Sequence, residues 1–429
     1  MRILVLGDTG FIGRHITGAL LGAGHHVVAA VRRPAEAQRR FPGIDTVQCD
    51  LARDVTAAVW LPRLRGIDAV VNVAGLLRGP AITAVHVEGP RALYAACRSA
   101  GLRRIIHISA ISADTAAGTD YARSKWQAEE ELRAQDDLDW VILRPSLVYH
   151  QGSYGGTSLL RGLAGLPGLL PLPGDGAQLF QPIHADDLAR AVCQLVADST
   201  VTRATLEPAG PETLRLRDIL LRLRAWLGLP PARLIPQVPM PLIHAMAGLG
   251  EMFGRGPVSR NAVAQMIHGN TGDAAGFARA IGWQPMTMAE AQARHPAHVQ
   301  DRWHARLYWL RPAVRLALAL LWLASGIIGL FAGIETVQPV LDLLQLPPAA
   351  ARPLAIAFCG LDLLLGAALL LRWFGTGLLT AVQLAVVTGY SLVLTLAAPA
   401  LWADPYGPLL KNLPILVLIA IHWALDDDT

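Results

Sequence analysis

The stretch Arg2-Ile3-Leu4-Val5-Leu6-Gly7-Asp8-Thr9-Gly10-Phe11-Ile12-Gly13 runs from an apolar strand candidate through three evenly spaced glycines into a helical pattern. Each glycine answers a physical demand. A tight turn needs Gly7, close approach of backbone to a pyrophosphate needs Gly10, and packing of helix on strand needs Gly13. The unpaired N–H groups at the helix N-terminus then face a diphosphate. The stretch predicts a dinucleotide site built from Gly7, Thr9, Gly10, Phe11, Ile12 and Gly13.

Outward from this turn, short apolar runs alternate with helical patterns. Strands are expected at 2–7, 26–31, 45–50, 68–75, 104–109 and 139–145, with helices at 12–23, 56–63, 89–100 and 121–135. Strands apolar on both faces and separated by helices predict an α/β fold with a doubly wound parallel sheet of the Rossmann type. The second strand ends in Val31-Arg32-Arg33-Pro34. A carboxylate there would serve the ribose 2′-hydroxyl of NAD. Two guanidinium groups suit the 2′-phosphate of NADP(H) instead. NADP is therefore the expected cofactor, with NAD as the alternative. Asp50 and Leu51 after the third strand are expected near the adenine, and Ala74 and Gly75 after the fourth would let backbone pass close to the cofactor. From 146 to 300 glycine and proline cluster, as in a small substrate lobe, with helices expected at 186–197, 216–227 and 261–267.

Tyr121-Ala-Arg-Ser-Lys125 opens the helix after the fifth strand. Positions i and i+4 share a helix face, so phenol and ammonium enter the same space. An ammonium beside a phenol favours the phenolate, which predicts a lowered pKa suited to proton transfer. Lys125 and Lys411 are the two lysines among 37 basic residues. A chain that uses arginine nearly everywhere keeps a compact, titratable charge here.

The glycine turn, the Tyr121/Lys125 pair and HISAIS (107–112) resemble the short-chain dehydrogenase/reductase superfamily in its extended or atypical branch. ISAISAD (108–114), LRPSLVY (143–149), FQPIHADDLARAV (180–192) and the run from Gly210 to Leu220 are similar to the branch containing the NADPH-binding accessory subunit of respiratory complex I. The likeness covers residues 1–295. The remainder resembles the DoxX-like four-helix membrane family, and chains with both parts are described as NAD-dependent epimerase/dehydratase-like proteins. The resemblance implies Tyr121 as proton donor or acceptor, Lys125 at the nicotinamide ribose, and a Ser or Thr ending the fifth strand to hold a substrate carbonyl. Ile111 stands at that last place, so Ser109 and Ser112 are both catalytic candidates. The complex I relatives bind NADPH without catalysis. A non-catalytic NADPH-binding structural, assembly or sensing protein is therefore the second reading.

Hydrophobic residues make up 53% of the 429 residues and charged residues 16%, with a mean hydropathy of +0.38. That balance excludes a disordered chain and a wholly soluble enzyme. Of the 70 charged side chains, eight lie between Pro312 and Leu425. Apolar segments at 313–334, 353–371, 374–397 and 408–425 each approach the ~20 residues that cross a bilayer. Trp309, Trp322, Trp373, Tyr390, Trp402, Tyr406 and Trp423 mostly flank them, as interfacial aromatics do. The expected domains are a Rossmann domain at 1–300, a basic juxtamembrane linker at 301–312 and an all-α four-helix transmembrane bundle at 313–425.

The apolar run before Gly7 is too short for a secretory segment. Arg302, Arg306, Arg311, Arg315 and Arg372 bias two connections toward the cytoplasm. The expectation is a multi-pass protein of the inner, cytoplasmic membrane with its N-terminal body in the cytoplasm. Asp362, mid-span, is expected to face the bundle interior with Gln383 or Thr388 as partner. The scattered arginines leave no nucleic-acid footprint. Isolated Cys49, Cys97, Cys193 and Cys359 argue against disulfides and against a metal site. Asp186 is expected to cap the helix that follows it, with His184 near the substrate pocket as the functional alternative; His25 and His26 read as surface residues. Segment 239–253 reads as a lobe core helix or a membrane-surface helix. The expected activity is a membrane-anchored NADP(H)-dependent oxidoreductase acting on a lipophilic carbonyl or alcohol, a quinone-like molecule included. A protein partner is not specified.

Overall fold

The computed structural model describes residues 1–114, 118–152, 155–252, 263–264, 267, 270–331 and 338–426. The chain divides into two compact units, Met1–Ala305 and Arg306–Thr429.

In the first unit, β1 (Arg2–Leu6), β2 (His26–Val31), β3 (Asp45–Gln48), β4 (Ala69–Asn72), β5 (Arg104–Ile108), β6 (Asp139–Leu143) and an edge strand, Ala204–Leu206, form one seven-stranded sheet. The spatial order is edge strand, β6, β5, β4, β1, β2, β3, with every neighbouring pair parallel. Strand order reverses between β1 and β4, where α/β sheets open a crevice beyond their carboxyl ends. Successive residues of β1 enter opposite layers. Ile3 and Val5 join Ile16 and Leu20 on one face, whereas Leu4 and Leu6 join Trp60 and Leu93 on the other. Burial on both faces is why these strands read as unbroken apolar runs.

Helices α1 (Phe11–Gly22), α2 (Pro34–Arg40), α3 (Ala57–Trp60), α4 (Gly89–Ser99) and α5 (Asp120–Arg133) alternate with the strands. Five strands stop one to three residues before their expected ends, and the residues left over form the loops at the crevice. The expected helix at 56–63 is one α-turn followed by a 3₁₀ turn, Leu61–Leu64, at Pro62, whose missing N–H cannot continue the ladder. The edge strand was not legible: its three residues are too few to show a period.

The small lobe holds α6 (Gly156–Ala164), α7 (Ala185–Ala197), α8 (Leu216–Trp226), Ala274–Ile281 and Met288–Arg294 around Leu172, Phe180, Leu216, Ile219, Leu220 and Met288. The helix expected at 261–267 falls mostly outside the described residues, as does Phe253. Met240–Met252 is helical, with Ile243 and Ala247 buried and Leu242 and Met246 exposed.

The second unit is helical. Val299–Phe331, which begins in the first unit, Ala351–Leu371 and Thr376–Ala397 are long and apolar enough to cross a membrane. Asn412–Leu425 has 14 residues. At ~1.5 Å per residue it reaches ~21 Å, short of a ~30 Å hydrocarbon core. The expected linker at 301–312 is helical, with Pro312 inside the helix. Residues 332–334 of the first expected span lie outside the described residues. A Cβ on Gly366 would come within 2.6 Å of Leu323 Cγ, so these two helices meet through a residue that has no side chain. Asp362 accepts from Ser325 Oγ at 2.6 Å and from Tyr390 OH at 3.3 Å. The expected partner Gln383 instead accepts from Trp322 Nε1 at 3.0 Å. It lies two turns along the helix from Tyr390, which takes the place nearer Asp362.

Candidate active site

The glycine turn sits at the end of β1, at the reversal of strand order. Gly7 has φ +81°, and a Cβ there would lie 2.9 Å from the Ala74 backbone. A Cβ on Gly13 would lie 2.0 Å from the Gly7 carbonyl oxygen. The first glycine therefore serves both the turn and the approach of the β4 loop, and the third holds α1 against the turn. No side chain caps α1, and its first turn carries no acidic residue. Its positive dipole end therefore suits an anion. The residues present fit the diphosphate of a dinucleotide.

Asp8, inside this turn, is fully buried, and among the described residues no hydrogen bond of good geometry reaches either carboxylate oxygen. Burial raises its pKa to about 6; the Thr9 amide and the Arg40 guanidinium offset only part of that. The folded value exceeds the ordinary 3.8. The native state therefore holds the proton more tightly, and this contribution, complete below pH ~4, is lost as pH rises through about 6. Asp8→Asn should then stabilise the nucleotide-free protein by about 3 kcal/mol at pH 7.5 and leave it nearly unchanged at pH 4. Melting curves at the two pH values check this. Equal shifts at both would refute it.

Arg32 and Arg33 are exposed at the end of β2. Arg32 lines a cleft with Asp50, Arg53, Asp54 and Arg63, and Arg33 lies 3.8 Å from Glu36. Arg40, which sequence reasoning missed, joins them at the turn: its Nη1 donates to the Thr9 carbonyl at 2.6 Å. Asp50 Oδ1 accepts the Ala52 amide at 3.1 Å and Leu51 is buried. The Ala74 amide donates to Asn72 Oδ1 at 3.2 Å, shaping the loop that brings Gly75 forward.

Helix α5 starts at Thr119, whose hydroxyl accepts the Ala122 amide at 3.2 Å. One turn in, Lys125 is buried. Its Nζ donates to the Ile108 carbonyl at 2.9 Å, and a Cβ on Gly75 would lie 3.3 Å from it. The ammonium therefore stands where β4 and β5 end. Burial lowers its pKa to about 8 against the opposing pull of Glu129. Tyr121 departs from expectation: burial pushes its phenol up to about 12, and the ammonium brings no lowering. Desolvation outweighs the charge that the spacing suggested.

A hydrogen-bonded chain ties the β4 loop to this helix. The Leu76 amide donates to His86 Nε2 at 2.8 Å, so the imidazole proton sits on Nδ1 and is donated to Ser124 Oγ at 2.7 Å. Ser124 in turn donates to the Tyr121 carbonyl at 3.0 Å. Burial holds His86 down to about 3, so it stays neutral. The Tyr121 ring lies edge-on to His86 at 5.7 Å.

The two serine candidates part company. Ser109 is buried and donates to Glu129 Oε1 at 2.5 Å. Glu129 itself is fully buried and accepts from Arg144 Nη2 at 2.6 Å and Arg133 Nη2 at 2.8 Å. Ser109 thus belongs to a buried ionic cluster. Ser112 is half-buried and carries no such tie among the described residues. Sequence reasoning missed Glu129, although Tyr121, Lys125 and Glu129 recur every four residues on one face of α5.

An apolar cavity in the small lobe is lined by Leu147, Tyr149, Leu160, Ile219, Trp226 and Met288 among others; neither Tyr121 nor Lys125 belongs to its wall. His184 forms part of that wall and also caps α7, its Nδ1 accepting the Asp186 amide at 3.4 Å. The expected cap, Asp186, instead turns toward His15, which donates to it at 3.1 Å.

Comparison with known proteins matches residues 7–198 to an NAD(P)H-binding family and residues 319–420 to the DoxX-like family. A 3-diazoavenalumate denitrifying reductase from a Streptomyces species is 32% identical over 268 residues, covering 55% of this chain and 84% of the relative. A ceramide reductase from Caulobacter vibrioides is 31% identical over 192 residues, covering 44% of this chain and 58% of the relative. A solved short-chain dehydrogenase/reductase superfamily protein from Agrobacterium tumefaciens, with NAD bound, shares the fold at 18% identity and a TM-score of 0.52, covering 73% of this chain and 99% of that one. The N-terminal unit binds NAD(P)H, and the relatives together with the DoxX-like domain support a membrane-associated oxidoreductase. The chain belongs to the NAD(P)H-binding family that includes this Streptomyces reductase, with the fold of short-chain dehydrogenase/reductase proteins, and carries a DoxX-like membrane domain.

Proposed function

We propose that the protein is a membrane-anchored, NADP(H)-dependent oxidoreductase that acts on the carbonyl or alcohol of a lipophilic substrate. The observation that carries this reading is the Tyr121–Lys125 face of α5, with the Lys125 ammonium buried against Ile108 and Gly75 at the crevice of the sheet. The dinucleotide, when bound, supplies or takes the hydride. The α1 N-terminus holds the diphosphate, Lys125 the nicotinamide ribose, and Asp50 with Leu51 the adenine side. A neutral phenol at Tyr121 is set to donate its proton to a carbonyl oxygen, and Ser112 is the hydroxyl assigned to hold that oxygen. A tether makes physical sense for a substrate dissolved in the bilayer, and ceramide, the substrate named for one relative, is a lipid. The test is purification in detergent, identification of the bound nucleotide, and its turnover with membrane lipid extract. The engaged Ser109 favours a second reading, in which bound NADPH only stabilises the fold. NADPH that co-purifies and is never oxidised would establish that reading.

Arg32 and Arg33 are assigned to the 2′-phosphate. Replacing both with Ala should weaken NADPH far more than NADH, by roughly 1.5–3 kcal/mol per charged hydrogen-bonding group lost. Calorimetric titration with both nucleotides checks this, and equal losses would overturn the assignment.

Arginines near the span ends assign Met1–Ala305 and the turn at Arg372 to the cytoplasmic side of the inner membrane. A cysteine placed at Gln345 should then react with an impermeant thiol reagent only from the opposite side. Native Cys49 and Cys97 are buried with thiols pushed up to about 12, so they contribute little background. Labelling of residue 345 from the cytoplasmic face would reverse the orientation.

A further inference from the structure

At the wall of the small-lobe cavity, four histidines surround one carboxylate. His15 comes from α1, His150 from the loop after Tyr149, His184 and Asp186 from the start of α7, and His295 from the residue after Met288–Arg294. Asp186 Oδ1 lies 3.1 Å from His15 Nδ1 and 3.9 Å from His150 Nε2. Its Oδ2 lies 3.6 Å from His184 Nδ1 and 4.0 Å from His295 Nε2. The His184 and His295 rings are stacked, 5.3 Å apart with 8° between their planes.

The two oxygens of Asp186 have different surroundings. A carboxylate only accepts, so His15 presents an N–H to Oδ1. His150 Nδ1 accepts the Gly152 amide at 2.9 Å, which puts its proton on Nε2, the nitrogen nearest the same oxygen. On the Oδ2 side, His184 Nδ1 carries no proton, and its long 3.4 Å contact with the Asp186 amide is one that a bound ion would displace. The distances there are too long for hydrogen bonds, yet the three donor atoms lie within 4.8 Å of one another. Ligand bonds of ~2.0–2.1 Å around a tetrahedral ion place donor atoms ~3.3 Å apart, so the two carboxylate-to-imidazole distances of 3.6 and 4.0 Å need to close by less than ~1 Å.

The charge of the cluster selects its occupant. Asp186 is the acidic group, and both its oxygens face imidazole nitrogens rather than a guanidinium or ammonium. A carboxylate ringed by imidazole nitrogens is a setting that attracts a cation and repels phosphate. The cavity's Arg161 is held by Asp301 at 3.0 Å. We infer that His184, Asp186 and His295 form a two-histidine, one-carboxylate site for a divalent first-row transition cation such as zinc, with His15 and His150 orienting the carboxylate. Sequence spacing hid the site because its ligands come from two separate segments and the orienting histidines from two more. Since His184 and His295 also line the cavity, an occupied site sets a positive charge in a mostly apolar wall, suited to the oxygen-bearing end of a lipophilic ligand.

The test uses the full chain in detergent, dialysed against chelator and titrated with Zn²⁺ alone, with Co²⁺ as a spectroscopic probe and Mg²⁺ as a comparison. One equivalent of Zn²⁺ should bind in preference to Mg²⁺, and Co²⁺ should give the visible absorption of an imidazole- and carboxylate-bound ion. His295→Gln and Asp186→Asn, both at partly exposed side chains, should each weaken Zn²⁺ by at least about 100-fold while NADPH binding, measured in parallel, reports an intact fold. The inference fails if no zinc binds at ~100 µM, or if either variant keeps NADPH and the parent's zinc affinity.

Discussion

Tyr121→Phe should lower turnover by about 10² or more while NADP(H) affinity stays within twofold of the parent. The substitution removes one hydroxyl and keeps the ring that stands edge-on to His86. Because burial holds the phenol near 12, it is protonated across the physiological range and serves reduction as the donor. Steady-state rates with parallel nucleotide titration measure the effect. An unchanged rate would assign the proton to another group. In the same assay Ser112→Ala should slow turnover, whereas Ser109→Ala, at a side chain spent on Glu129, should act through stability.

Glu129→Ala should destabilise the protein by about 3–5 kcal/mol, the usual cost of breaking a buried ion pair from one side. The carboxylate is fully buried and receives Arg144, Arg133 and Ser109, so its removal strands Arg144 and empties the space between α5 and β6. It also removes the charge that supports the Lys125 ammonium, whose pKa should fall below 8. Thermal unfolding, with nucleotide affinity followed from pH 6 to 9, separates the effects. A melting temperature within 2 °C of the parent would contradict the first, and an unaltered pH profile of affinity the second. Glu129→Gln keeps the shape and should cost less.

The sheet was legible because each strand of β1–β6 is apolar on both faces, and the glycine turn because its spacing follows backbone geometry. Positions at the crevice were legible one motif at a time, as Tyr121 and Lys125 show. What the spacing could not convey was environment. The phenol's pKa depends on how far water is excluded, which no i, i+4 pattern encodes. Ser109 and Ser112 look alike in the chain, and only the fold turns one into a buried cluster. The cap of α7 was misread because Asp186, a good capping residue by type, is drawn away by His15 from a distant helix. Three of the four expected spans are long enough to cross; the fourth contracts where Pro408, Lys411 and Asn412 interrupt its apolar run.

The edge strand Ala204–Leu206 lies just beyond residue 198, where the likeness to the NAD(P)H-binding family stops. It covers the outer side of β6, whose Val141, Ile142 and Leu143 are wholly buried. Arg104 fastens the connection before it through the carbonyls of Leu195, Asp198 and Val201. A fragment ended at the family boundary would leave β6 as a bare, apolar, unpaired margin, open to zippering against a second copy. Expression trials that stop the chain at residue 198 should therefore yield aggregates, whereas those that keep the whole first unit, Met1–Ala305, keep this margin and the small-lobe core covered.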